Sequence, residues 1–175
     1  MTRALPLAGA ALGVALVLAL FLALTGGGEP APRPAAATFT AAGNGFSIST
    51  PRGWKAVADG KAATVLQRDD ERGVVVIRER PPLAGSLDAL SADLGRALAQ
   101  RVPGATHAGE RRLEIGGTQG LVHTFVRPAS NQVQSIVVAP ASDRSYTLDL
   151  VADGDAPDVA RELAAMVRSF APQPR

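Results

Sequence analysis

The chain has 175 residues, with eighteen basic and sixteen acidic side chains, two histidines and no cysteine. Without cysteine there is no disulfide framework, no thiolate metal site and no lipid-modified cysteine anchor. From Thr38 onward, past Arg3, Glu29 and Arg33, sixteen basic and fifteen acidic groups nearly cancel. No basic cluster is interleaved with aromatics, so no nucleic-acid partner is expected.

Residues 4–24 carry no charged and no hydrogen-bonding side chain. As a helix these twenty-one residues span about 31 Å at about 1.5 Å each, the thickness of a bilayer's hydrocarbon core. Leucine, valine and Phe21 favour insertion by roughly a few kcal/mol, and Pro6 falls in the first turn, where its missing N–H costs little. The run is longer than the about 7–15 residues of a cleaved signal's apolar core, so residues 1–24 are expected to be a retained transmembrane anchor in the bilayer. Thr25-Gly26-Gly27 offers a cleavage site, and a secreted form is the alternative. Arg3 before the run and Glu29 and Arg33 after it favour a cytoplasmic N-terminus and an extracytoplasmic domain on the plasma membrane. Residues 25–38, rich in Gly, Pro and Ala, read as a flexible linker.

About 137 residues remain after the linker, the size of one domain with one core; it is expected over residues 39–171. Phe46 and Ile48 alternate with Ser47 and Ser49 as a half-buried strand, ended by the turn Pro51-Arg52-Gly53. Trp54, the sole tryptophan, is expected to plug one end of the core. Residues 62–68 and 73–80 read as strands joined by a polar, solvated turn at Asp69-Asp70-Glu71-Arg72. Four β-branched residues, Val74 to Ile77, predict a central strand covered on both faces.

Pro81-Pro82 breaks the sheet. Ser86 is placed to cap a helix running to about residue 102, with Leu87, Leu90, Leu94 and Leu98 along one face. Strands are then predicted near 105–115, 119–127, 132–139 and 145–151, with Gly116-Gly117 as a two-residue hairpin turn. Asp155 is expected to cap a closing helix that buries Val159, Leu163, Met166, Val167 and Phe170, with Asp158 near its positive end. The order implies an α+β domain: a mainly antiparallel β-sheet flanked by two helices, behind one N-terminal transmembrane helix.

Gly45-Phe46-Ser47-Ile48 leading to Pro51-Arg52-Gly53-Trp54, the strand pair, the amphipathic helix, the meander and the ending Val167-Arg168-Ser169-Phe170 resemble the PsbP-like family. That family takes in DcrB-like and LpqN-like envelope lipoproteins, and the resemblance covers about residues 39–170. It implies an exported accessory or binding module without catalysis. The hydrophobic span and the missing cysteine depart from its lipoprotein members. No photosynthetic role carries over.

Chemistry-bearing residues are sparse. Gly45-Phe46-Ser47-Ile48-Ser49 lacks the final glycine and the helix of a nucleophile elbow, so Ser47 is not expected to be catalytic. His107 and His123 fall short of the three or four ligands of a zinc site, and His123, sharing a strand face with Leu121 and Phe125, reads as structural. Asp153, Asp155 and Asp158 offer oxygens to calcium, but their spacing is not that of an EF-hand and helix capping accounts for two of them. Arg78, Arg80, Arg111 and Arg112 are weighed as one basic sheet surface for an anion, against ordinary edge protection. No catalytic, metal or cofactor residue is therefore assigned.

The leading expectation is a membrane-tethered extracytoplasmic domain that binds another envelope protein. The second is a carrier or sensor of a small apolar ligand held in a dry pocket near Trp54. The third is a hydrolase, which requires a Ser or Asp with a base within reach in a cleft.

Overall fold

The computed structural model describes residues 37–41, 44–101 and 104–174. The span expected over residues 4–24 and the linker up to residue 36 lie outside them. Among the described residues no helix is long and apolar enough to cross a membrane.

Two antiparallel sheets form where one was expected. Strands β3 (Trp54–Gly60), β4 (Ala63–Arg68), β5 (Gly73–Arg80), β6 (Thr106–Ile115), β7 (Thr118–Arg127), β8 (Gln132–Pro140) and β9 (Ser145–Asp153) make a seven-stranded sheet in the order β3-β4-β5-β9-β8-β7-β6. The smaller sheet is β1 (Ala37–Ala41), β2 (Phe46–Thr50) and β10 (Ala171–Pro172), with β2 in the middle. Helix α1 (Leu87–Arg101) carries the chain from β5 to the far edge strand β6, and the meander β6 to β9 walks back until β9 pairs with β5. Gly116 and Gly117 turn the β6–β7 hairpin at φ of 58° and 81°, a left-handed pair that glycine adopts without Cβ strain.

Helix α2 (Pro157–Ser169) packs its stripe on one face of the large sheet and on β2. Val159, Leu163, Met166 and Val167 are buried with Phe46, Ile48, Leu66, Val75, Leu148 and Leu150, as their spacing predicts. Phe170, just past the helix, closes an aromatic cluster with Phe46 and Tyr146. The Tyr146 hydroxyl reaches the carbonyls of Asn44 and Gly45 at 3.0 and 2.8 Å, tying β9 to the loop before β2. Trp54 seals the other end. Its ring lies where a Cβ on Gly73 would stand, and its Nε1 donates to Glu162 at 2.8 Å.

Two expectations are corrected here. Val75 and Ile77 of β5 are buried, but Val74 and Val76 are half-exposed, because among the described residues no element lies over that part of the opposite face. Asp155 does not cap α2. The cap position is Ala156, without a side-chain hydrogen bond, and the Asp155 carboxylate accepts from Arg72 Nη2 at 2.6 Å instead. A strand that was not expected, β3, opens at Trp54 directly after the turn. Ser86 does cap its helix, its Oγ accepting from the Ala89 N–H at 3.2 Å.

Candidate functional site

One polar chain, buried at Ser91 and His123, links three elements on the face opposite α2. Among the described side chains of α1, Ser91 alone is buried, at 6% exposure. Its Oγ stands 3.1 Å from Nε2 of His123 on β7, which is 1% exposed. The other ring nitrogen, Nδ1, lies 3.2 Å from Nε2 of His107, an exposed residue of the edge strand β6. Phe125, two residues along β7, packs on both imidazoles with ring centroids 6.3 and 5.1 Å away.

Each contact needs one donor, and a neutral imidazole has one N–H and one lone pair. The chain therefore runs from Ser91 through His123 to His107, or in reverse, with every link satisfied. Burial pushes the His123 pKa below its ordinary 6.5; Glu110, its cross-strand partner, pulls upward and His107 pushes down. Because the folded value is the lower one, the neutral ring's contribution to stability is complete above about pH 6.5 and declines as pH falls toward the folded value.

Serine, base and second imidazole have the connectivity of a nucleophile relay. With α1 in place, however, a 6% exposed hydroxyl admits no substrate carbonyl. Half of the hydrolase requirement is present at Ser91, a hydroxyl with a base within reach, but that hydroxyl is buried. Ser47 is elsewhere, on β2, accepting from Gln173 Nε2 at 3.0 Å. The sequence signal for Ser91 was its place in the leucine stripe, four residues after Leu87 and three before Leu94. A polar residue on an apolar face calls for a buried partner.

The three aspartates face arginines of the β4–β5 hairpin. Arg72 lies 3.5 Å from Asp153 and 2.6 Å from Asp155, and Arg68 lies 2.8 Å from Asp158 and 3.4 Å from Glu162. Asp69, Asp70 and Glu71 of the turn are exposed, the solvated tip that was expected, while Arg72 ties the turn to the end of β9 and the loop before α2. Among the described residues no three His, Asp or Glu side chains gather closely enough for a metal ion.

For Asp158, burial, the largest single influence, acts upward, but the hydrogen bond and charge of Arg68 and the N–H groups of Asp158 and Val159 together hold its carboxyl below the ordinary 3.8. The stability it supplies is present above pH 3.8 and is lost as pH falls through the folded value. Asp158→Asn is expected to flatten the acid limb of a stability-versus-pH curve measured by urea unfolding. With 46% of the side chain exposed, solvent screening limits the loss at pH 7 to under about 1 kcal/mol.

The four arginines do not converge. Arg78 and Arg80 on β5 share the face of Arg112 on β6, but β9, β8 and β7 stand between, about 19 Å at about 4.8 Å per strand. Arg111 is of opposite parity, the cross-strand partner of core residue Val122. Arg80 instead borders an open cleft of 530 Å³ with Lys61, Asn44, Glu79, Asp143 and Arg144. Arg144, 3% exposed, donates to the Gln173 carbonyl at 2.9 Å, with Asp143 at 3.1 Å and Glu79 at 4.0 Å beside its guanidinium.

Sheet order, helix placement and the closing Phe170 define an α+β domain with the PsbP-like fold, as the sequence resemblance implied. The solution structure of cyanobacterial PsbP (CyanoP) from Synechocystis sp. PCC 6803 matches it with a TM-score of 0.60 at 16% identity, covering 84% of this chain and 96% of that one. Two more distant likenesses are a putative regulator of unknown function, PA94, from Pseudomonas aeruginosa (TM-score 0.49, 13% identity, covering 80% and 99%) and LpqN, involved in cell envelope biogenesis of Mycobacterium tuberculosis (TM-score 0.47, 13% identity, covering 85% and 88%). No protein-family model and no curated protein sequence matches the chain.

Proposed function

We propose that the chain is a membrane-tethered extracytoplasmic accessory domain that acts by binding another protein of the cell envelope, without catalysis. The observation that carries this reading is the likeness to cyanobacterial PsbP, which takes in nearly the whole of that protein. The tether rests on the apolar run of residues 4–24 and its flanking charges. The half-exposed Val74 and Val76 and the exposed Val57 give the large sheet apolar surface with which to meet a partner.

The test is in-cell crosslinking of the full chain with photoreactive side chains at Val57 and Val76, followed by mass spectrometry. One recurrent envelope protein, captured only when residues 4–24 are present, supports the reading. A captured lipid or small molecule without any protein adduct overturns it in favour of an apolar-ligand carrier. That carrier needs room other than the Trp54 end of the core, which is filled.

A further inference from the structure

Amphipathic helices are ordinarily held by the apolar stripe they bury. α1 is held differently. Leu87, Leu90 and Leu94 stay half-buried, and the deepest described side chain is Ser91, bound to a histidine. A second polar tether from α1 to the sheet, among the described side chains, is the ion pair of Asp88 with Arg112, whose side chains are 79% and 38% exposed; such a pair adds little in water. α1 lies against β6 and β7, and the His123 ring is the pivot of that contact.

The groups around that ring come from four elements. β6 supplies His107 and Glu110, α1 supplies Ser91, β8 supplies the apolar Ile136, and β7 itself supplies Leu121 and Phe125 on the same face. Of the further charges on that face, Asp88 and Arg112 are occupied with each other, and Asp149, beyond Ile136, accepts from Gln134 Nε2. One extra proton on the pair is accommodated: a single N–H bridges His123 Nδ1 and His107 Nε2, and His123 Nε2–H donates to Ser91. A second proton sets N–H against N–H across 3.2 Å and places two like charges side by side, that on His123 buried. Exposed Glu110 lies on one side of that pair only.

We propose that the Ser91–His123–His107 chain is a proton-operated latch, which holds α1 on β6 and β7 while His123 is neutral and frees the helix once both imidazoles are charged. Release uncovers Leu121 and Phe125 and extends the apolar face that Ile136, Val76 and Val151 already half-expose. The latch is independent of who the partner is. It makes the size of the sheet's apolar surface a function of pH.

The test is amide hydrogen exchange of the full chain in non-ionic detergent between pH 7.5 and 5.0, corrected for intrinsic rates. Below pH 6.5 the protection of α1 is expected to fall by up to about tenfold per pH unit, the one-proton linkage limit, while α2 keeps its protection. His123→Gln, which retains hydrogen-bonding capacity, should abolish the response. Should that buried variant not fold, the exposed-site variant His107→Gln decides alone, by showing a clearly smaller loss at pH 5.0. Unchanged α1 protection, parallel loss in α1 and α2, or a full response in His107→Gln would each overturn the latch.

Discussion

Phe170→Ala is expected to remove about 3–5 kcal/mol of stability, the range for emptying a buried aromatic site. Phe170 is 1% exposed, and its ring centroid lies 5.3 Å from that of Phe46 and 5.2 Å from that of Tyr146. These three rings come from the end of α2, from β2 and from β9, so they join the small sheet to the large one. Edge-to-face contact adds about 0.5–1.5 kcal/mol to what the buried area supplies. No neighbour can refill the gap easily, since β10 follows at once and is paired with β2. Urea unfolding followed by Trp54 fluorescence and far-UV circular dichroism measures the loss. Val57→Ala, at a position 47% exposed, should change stability by under about 0.5 kcal/mol. Equal effects from the two substitutions would refute the aromatic junction.

The second large effect is expected at Gly120, on β7. A Cβ there would stand 2.7 Å from Ile115 Cδ1 and 2.7 Å from the Val138 carbonyl oxygen. The isoleucine tip can swing aside, but the carbonyl belongs to the backbone of β8 and moves only with the strand. Gly120→Ala should therefore cost about 1–3 kcal/mol, toward the upper end of what overpacking ordinarily costs, and lower the melting temperature by several degrees. The same substitution at Gly95, in α1, meets nothing within 4 Å. There alanine should stabilise the helix by about 0.5–1 kcal/mol. Opposite signs from one chemical change, read by thermal unfolding of both variants, test the packing on the two faces.

The parts of the fold that announce themselves in the sequence are those whose side chains alternate or recur against a buried surface. Phe46 and Ile48, Tyr146, Leu148 and Leu150, and the α2 stripe are all buried as their spacing predicts. β3 escapes such a reading because every residue after Trp54 is exposed and a bulge between Ala56 and Ala58 breaks the register. β1 is mostly exposed and β10 has two residues, so neither has a period to detect. The Asp155 cap looked favourable locally and lost to Arg72, which arrives from a hairpin far away in the chain. The histidine chain was illegible for the same reason. Ser91, His107 and His123 come together only after α1 has crossed the sheet and β6 has paired with β7, an arrangement that no local spacing encodes.

The return of β9 to β5 has a kinetic consequence. Gly73 pairs with Ala152 and Arg80 with Ser145, so the β3–β5 half and the β6–β8 half of the large sheet each keep an open edge until residues 145–153 arrive. Contacts so distant in sequence close late, which slows folding and prolongs the exposure of unpaired strands. β5, with Val74, Val75, Val76 and Ile77 in succession, is the edge with most to lose in that interval. A chain truncated before β9 should aggregate through β5, and refolding should be limited by the step that sets the last long strand between the two waiting halves.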